Sequence, residues 1–271
     1  MKLSDWLTEA EGRLHSAGVE AARLEASVLA AHVLGVDRSW LFAHPQHEFN
    51  DLAGEQVLQR RERREPLAYI LGWREFFGRR FIVNPAVLIP RQETETLVES
   101  ALRVSGAGAK LLDIGTGSGC IAITLKLERP DLNVIAIDVS PLALEVARHN
   151  AVELGASVEF LWSDLFERLA DEQFDVIVTN PPYIGRHEDL MPEVRDHEPE
   201  LALYGGVEGD ELIQRLAREA AAYLSPDGWL LTEVGHTQAA GVVRLFRNAR
   251  FKSAEIVKDL SGVDRVVVAR C

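Results

Sequence analysis

Asn180-Pro181-Pro182-Tyr183 follows directly on the apolar run Phe174-Asp175-Val176-Ile177-Val178-Thr179. The run reads as a strand, and the four residues end it. Each proline fixes φ and lacks an N–H, and the residue before a proline is pushed to an extended conformation, so the turn is stiff and its carbonyls stay unpaired. An amide oxygen, a free carbonyl and an aromatic face are thereby brought to one spot. That trio suits a flat NH2 group, such as an amide or a nucleobase amine.

A second stretch, Leu111-Leu112-Asp113-Ile114-Gly115-Thr116-Gly117-Ser118-Gly119, places a glycine-rich turn where a strand meets a helix. Glycine lets the chain turn sharply and lets a ligand reach the backbone. Gly117-x-Gly119-x-x-Ala122 fits a dinucleotide pattern. A P-loop is excluded, because no Gly-Lys-Ser/Thr follows. Asp113 just before the loop disfavours a pyrophosphate and favours the amino end of a methionine moiety. Asp138 ends the second strand, at the spacing of about 20 residues where an acid bonds ribose hydroxyls. That feature serves NAD and S-adenosylmethionine equally. Ser163-Asp164-Leu165 ends the third strand, where the carboxylate can accept an adenine amine and Leu165 can pack on the ring.

The elements that position these residues are legible as patterns. Up to about residue 70 the apolar spacing is helical: Leu3, Trp6, Leu7 and Ala10, then a run from Ala21 to Leu34 ended by Gly35, then Leu52 to Arg64 before Pro66. Four or five helices are expected there. Trp73 to Val83 is aromatic and β-branched around Gly78, which reads as a hairpin. A helix is expected over Thr94–Val104. From residue 110 strands are expected at 110–114, 133–138, 157–162, 174–179, 228–234, 253–259 and 264–270, with helices at 118–128, 141–154, 208–223 and 237–248. Such alternation implies an open, doubly wound α/β sheet with its ligand at the carboxyl ends of the strands. The last two strands lie too close in sequence to be parallel.

Composition narrows the partners. The chain has 271 residues and a net charge of −13. Residues 1–80 carry 11 basic and 12 acidic side chains, and the remaining 191 carry 18 and 30. An acidic domain is badly suited to grip bare nucleic acid, whose affinity rests on phosphate neutralisation, so DNA is not expected as the main partner. No apolar stretch reaches the roughly 18 residues of a membrane span. The first residues carry an acid early and no long apolar core, so no secretory signal is expected. Cys120 and Cys271 make no metal spacing, the eight histidines show none either, and neither a disulfide nor a metal site is expected. Arg60, Arg61, Arg63 and Arg64 read as a solvated helix face, with a contact to an acidic partner or to RNA as the alternative. Arg91, Glu93 and Glu95 read either as a helix N-terminal charge cluster or as part of a substrate-facing segment.

Acid-glycine loop, ribose acid, adenine acid and Asn-Pro-Pro-Tyr stand in order at the ends of four successive strands. In that order the chain resembles the class I S-adenosylmethionine-dependent methyltransferases, whose Rossmann-like sheet has an antiparallel last strand. Within that superfamily the Asn-Pro-Pro-Tyr motif resembles that of enzymes methylating planar nitrogens, namely adenine amines and glutamine amides. Leu88-Ile89-Pro90-Arg91-Gln92-Glu93-Thr94-Glu95, His197-Glu198-Pro199 and Ala202-Leu203-Tyr204-Gly205-Gly206 extend the likeness to the release factor glutamine methyltransferase family. One departure is Gln92, where the family often has proline.

The resemblance implies a helical substrate-recognition domain over 1–72, a β-hairpin linker over 73–90 and a catalytic domain over 91–271. It implies S-adenosylmethionine as methyl donor, S-adenosylhomocysteine as product, and a glutamine of the Gly-Gly-Gln motif of peptide chain release factors as acceptor. Asn180, Pro181 and Tyr183 would be catalytic, and these with Pro182, Arg91 and Glu93 would hold the substrate. Asp113, Gly115, Thr116, Gly117, Ser118, Gly119, Asp138, Asp164, Leu165 and Asn180 would line the cofactor site. A cytoplasmic monomer is expected. A ribosomal protein glutamine methyltransferase is the nearest alternative. A nucleic-acid adenine methyltransferase predicts a basic recognition domain that the sequence lacks. A binding module predicts loss of the asparagine or the glycines, and an NAD-dependent oxidoreductase leaves Asn-Pro-Pro-Tyr unexplained.

Overall fold

The computed structural model describes residues 1–170 and 172–271. The helical spacing of the first part is realised as α1 (Leu3–Ser16), α2 (Ala22–Leu34), α3 (Arg38–Ala43), α4 (Asp51–Glu62) and α5 (Leu67–Leu71). Gly35 ends α2 in the left-handed conformation, and Asn50 caps α4 by accepting from the Ala53 N–H. Leu3, Trp6, Ala10 and Leu14 form one face of α1 and are buried with Leu29 and Leu58 in a core of their own.

The chain divides into two units. The smaller holds Met1–Trp73 together with Leu190–His197, and the larger holds Arg74–Asp189 and Glu198–Cys271. The short helix α9 (Pro192–Arg195) therefore groups with α1–α5, far from its place in the sequence. Arg61 and Arg64 make the reason plain. Arg61 is buried and pairs with Glu25 at 2.5 Å and with Glu193 at 3.0 Å. Arg64 grips Glu193 through Nε and Nη2 at 2.6 and 2.7 Å, while Arg60 pairs with Glu65. The expectation of a solvated arginine face is corrected for these three; Arg63 alone of the four is exposed.

β1 (Trp73–Phe76) and β2 (Arg79–Ile82) form the hairpin, which from Arg74 onward groups with the larger unit. Asn150 straps it down, accepting from the Ile82 N–H at 2.7 Å and donating to the carbonyls of Ile82 and Ser118. A 3-10 turn over Gln92–Thr94 precedes α6 (Glu95–Val104). Then come β3 (Lys110–Ile114), α7 (Cys120–Glu128), β4 (Asn133–Asp138), α8 (Pro141–Leu154), β5 (Glu159–Trp162) and β6 (Phe174–Thr179). After β7 (Ile184–Gly185), α10 (Glu200–Leu203) and β8 (Tyr204–Gly206) follow α11 (Glu211–Glu219), β9 (Leu224–Glu233), α12 (Ala239–Asn248), β10 (Ser253–Lys258) and β11 (Asp264–Arg270).

The main sheet has the order β10-β11-β9-β6-β3-β4-β5. β9, β6, β3, β4 and β5 run parallel, and β11 lies antiparallel to both of its neighbours. Successive side chains on a strand point to opposite faces. Leu112 and Ile177 accordingly join one core with α11 and α12, and Leu111 and Val176 join the other with α6 and α7. Burial on both faces is why these strands read as unbroken apolar runs. The order reverses between β3 and β6, so the loops after them part and leave a crevice at the carboxyl edge.

Candidate functional site

A cavity of about 490 Å³ occupies that crevice. Its lining includes Arg91, Gly115, Thr116, Gly117, Ser118, Asp138, Asp164, Leu165, Asn180 and Pro182. The volume lies within the range of small-molecule sites, about 300–1,000 Å³.

Each wall has a local cause. Gly115 and Thr116 donate their N–H groups to the Ile137 carbonyl, and Gly117 donates to Asp138 Oδ2 at 2.8 Å. Ser140 donates to Asp138 Oδ1 and, as N-cap, accepts from Ala143, fixing the start of α8. Asp138 is thus held rigidly at the cavity, with lone pairs left on both oxygens. Burial raises its carboxyl above the ordinary range, opposed by these backbone donors. On the next loop Ser163 bonds the Leu165 carbonyl and accepts from Arg168 N, supporting a positive φ of 47° at Leu165. A left-handed non-glycine residue costs energy and concentrates at functional sites. Here it aims a buried leucine and the half-exposed Asp164 into the same cavity.

The Asn180 amide is oriented by Thr94: Nδ2 donates to Thr94 Oγ1 at 3.2 Å. Oδ1 is therefore the end left for a ligand. Glu198, buried although charged, joins two stretches distant in sequence. It accepts from the Ile89 N–H at 3.1 Å and from Arg91 Nη2 at 2.5 Å. Glu198 thereby ties down the Ile89-Pro90-Arg91 segment, and Pro90, Arg91 and Pro199 line the cavity.

Five expected site residues lie elsewhere. Asp113 is wholly buried behind the loop and accepts from Thr116 Oγ1 at 2.7 Å; burial pushes its carboxyl up to about 7. Its Oδ1 is buried without a partner among the described residues. Gly119 is needed beneath the loop: at φ +82°, a Cβ there would stand 2.7 Å from Ile123 Cδ1 and 3.2 Å from Ala147 Cβ. Pro181 is buried, and Glu93 is exposed outside the cavity. Tyr183 turns away from the lining. Its hydroxyl faces Glu233 Oε1 at 3.5 Å, its carbonyl accepts from Gln238 Nε2, and burial pushes its phenol up to about 12.

The sequence reading overlooked Thr94, Glu198, Arg215 and Glu233. Arg215, on α11, lines the cavity and pairs with Asp164 at 3.3 Å. Thr94 and Glu198 stand in segments that carried the resemblance but were given no role, whereas Arg215 and Glu233 stand in no motif.

A nucleoside carrying an amino-acid tail fits this donor set. The loop and Ser118, whose buried Oγ has no partner among the described residues, line the wall before α7. Asp138 stands at the end of β4, and Asp164 and Leu165 stand after β5. No cluster of metal-ligating side chains occurs among the described residues. No helix there is long and apolar enough to cross a membrane.

Residues 92–194 match the family described as methyltransferase small domain, and residues 5–72 match the PrmC N-terminal domain. The chain is 44% identical to the release factor glutamine methyltransferase of Geobacter sulfurreducens, over 99% of this chain and 95% of that one. Identity to the release factor glutamine methyltransferase of Koribacter versatilis is 42%, over 100% of this chain and 99% of that one. A methyltransferase from Pyrococcus furiosus superposes with a TM-score of 0.57 at 20% identity, over 72% of this chain and 90% of that chain, a likeness of fold. With full-length relatives above 40% identity, this chain belongs to the release factor glutamine methyltransferase family.

Proposed function

We propose that the protein transfers a methyl group from S-adenosylmethionine to the side-chain amide nitrogen of a glutamine, that of the Gly-Gly-Gln motif of peptide chain release factors. The observation that carries this reading is the oriented Asn180 amide, with Nδ2 on Thr94 and Oδ1 free beside the cavity.

An amide nitrogen is a poor nucleophile because its lone pair is delocalised. Asn180 Oδ1 accepts one of its hydrogens. The nitrogen is held where it can pyramidalise. When bound, S-adenosylmethionine supplies an electrophilic methyl group on a sulfonium centre. Asp138 accepts the ribose hydroxyls, Asp164 the adenine amine, and Leu165 packs on the ring. Gly115, Thr116, Gly117 and Ser118 close around the amino-acid portion. Arg91, pinned by Glu198, and Pro182 with Gly205 border the acceptor's path. Positioning accounts for most of the acceleration, on the order of 7–11 kcal/mol for well-oriented reactants. The hydrogen bond to Asn180 strengthens as the nitrogen becomes cationic, which adds electrostatic stabilisation. The helical unit, with its match over 5–72, is the part assigned to gripping the release factor.

Purified protein with labelled S-adenosylmethionine is expected to label a release factor at one glutamine. Asn180→Ala should slow labelling by on the order of 10²–10³, the loss seen when one transition-state hydrogen-bonding group is removed. Release factor, ribosomal protein and DNA are assayed side by side. Label confined to ribosomal protein or DNA, or undiminished by Asn180→Ala, overturns the assignment.

A further inference from the structure

Residues 204–209 carry glycine at 205, 206 and 209, and Tyr204, Gly205 and Gly206 line the cavity. The segment lies backbone on backbone against the exit of the Asn-Pro-Pro-Tyr turn. Ile184 pairs with Tyr204 and Gly185 with Gly206, and Arg186 donates its N–H to the Val207 carbonyl at 3.2 Å. A Cβ on Gly209 would stand 2.6 Å from the Tyr183 carbonyl oxygen and 2.7 Å from the Gly185 nitrogen. So close an approach requires glycine, the residue that loses most conformational freedom when it is ordered. A loop of this composition therefore needs a hold from outside itself.

Glu211, the first residue of α11, supplies one. Its Oε1 accepts from the Val207 N–H at 2.7 Å and from the Glu208 N–H at 3.1 Å, and its Oε2 accepts from the Gly209 N–H at 3.0 Å. Successive backbone N–H groups turned to one point form an anion-binding concavity, and here the anion is the chain's own carboxylate. Hydrogen bonds to an ionised acceptor are about twice as strong as neutral ones. A Cβ on Gly206 would collide with that carboxylate, so glycine leaves it room. The helix dipole favours an acid at a helix start wherever its side chain points. It does not account for the convergence of three N–H groups from the loop before the helix.

We propose that Glu211 is a positioning residue for the acceptor side of the cavity: by gathering the 207–209 amides it seats Gly205 against Pro182 and so backs the turn that carries Asn180. The inference rests on the methyl-transfer reading above. Asn180, Pro182 and Gly205 all line the cavity. Gly205 lies close to the carbonyls of both Pro182 and Gly209. Glu211 holds Gly209, Gly209 abuts Tyr183 and Gly185, and Gly205 abuts Pro182, so the wall is set as one piece. Without the carboxylate the three N–H groups turn to solvent and the glycines regain their freedom. The turn loses its backing, while Asp138 keeps its own backbone donors at Gly117 and Ser140.

The test uses the full-length protein, labelled S-adenosylmethionine and a release factor that the wild type labels. Glu211→Ala should lower kcat and kcat/KM for the release factor together, by on the order of 10²-fold, the scale of an ångström's misplacement. Affinity for S-adenosylhomocysteine, measured by calorimetry, should stay within about twofold, because ground-state binding of the cofactor is not what is lost. Glu211→Gln keeps the shape of the side chain and one acceptor oxygen, and its kcat should fall between those of wild type and Glu211→Ala. In ligand-free protein, Glu211→Ala should speed hydrogen exchange of the Val207, Glu208 and Gly209 amides and shift the Asn180 side-chain amide resonances. A wild-type protein that labels no release factor sinks the methyl-transfer reading; the exchange and the Asn180 resonances still decide the role of Glu211. Wild-type kcat/KM in Glu211→Ala, an equal loss of cofactor affinity, unchanged exchange at 207–209, or unmoved Asn180 resonances would overturn the proposal.

Discussion

Gly205 shows how little room the clamp leaves. A Cβ there would stand 2.3 Å from the Gly209 carbonyl oxygen and 2.4 Å from that of Pro182. Both neighbours are backbone, so neither can swing aside. Gly205→Ala is therefore expected to displace Pro182 and lower kcat/KM by on the order of 10²-fold, since an ångström of misplacement costs about that much. Cofactor affinity, measured by calorimetry, should change far less, because the added Cβ meets the Gly209 and Pro182 backbone rather than Asp138 or the glycine loop. Equal losses in both quantities would show a general disturbance of the cavity instead. Asn180 makes the complementary point. Its type and place announced its chemistry in the sequence, but its orientation comes from Thr94, 86 positions away.

At the scale of elements, the arginine run at the end of α4 and just beyond it is the instructive case. Four arginines near the end of a helix look solvated when read linearly, yet Arg61 and Arg64 are turned onto Glu193 of α9. Burial alone would raise the Glu193 carboxyl, but the hydrogen bonds from Arg64 and Arg61 outweigh it and hold the group down at about 2. Its contribution to stability is thus present above the ordinary carboxylate value and lost as pH falls through about 2. Removing one partner of a buried pair costs about 3–5 kcal/mol, because the other charge is left unpaired. Glu193→Ala should show a loss near the lower figure, read as faster hydrogen exchange of the α2 and α4 amides at neutral pH. Unchanged exchange there would mean that solvent already screens the pair.

Two buried acids shape the larger molecule's response to pH. Asp113 and Glu233 are both pushed up to about 7 by burial. The folded state therefore binds their protons more tightly than the unfolded chain does. The stability this adds is complete below the ordinary carboxylate values and is lost as pH rises through about 7. Thermal unfolding of wild type should reflect this as a falling midpoint between about pH 5 and about pH 8. Asp113→Asn, which keeps an acceptor for Thr116 and never ionises, should make the fall shallower. A slope identical to wild type would show that Asp113 stays protonated throughout, or that the loop relaxes when it ionises.

The order of β and α elements, the Gly-rich turn, the acids at strand ends and the Asn-Pro-Pro-Tyr turn were all legible in the sequence, because each depends on neighbours within a few positions. Apolar runs, helical spacing, glycine turns and a proline's fixed φ are local properties, and they carried the reading to an α/β sheet, while the resemblance of the ordered motifs carried it to a methyltransferase. What tertiary structure alone decided are relations across distance. It withdrew Tyr183 and Asp113 from the cavity wall, placed Glu198 between two remote segments, and grouped residues 190–197 with the helical unit. A buried charge is stable only where three-dimensional neighbours compensate it, and no spacing along the chain records who those neighbours are.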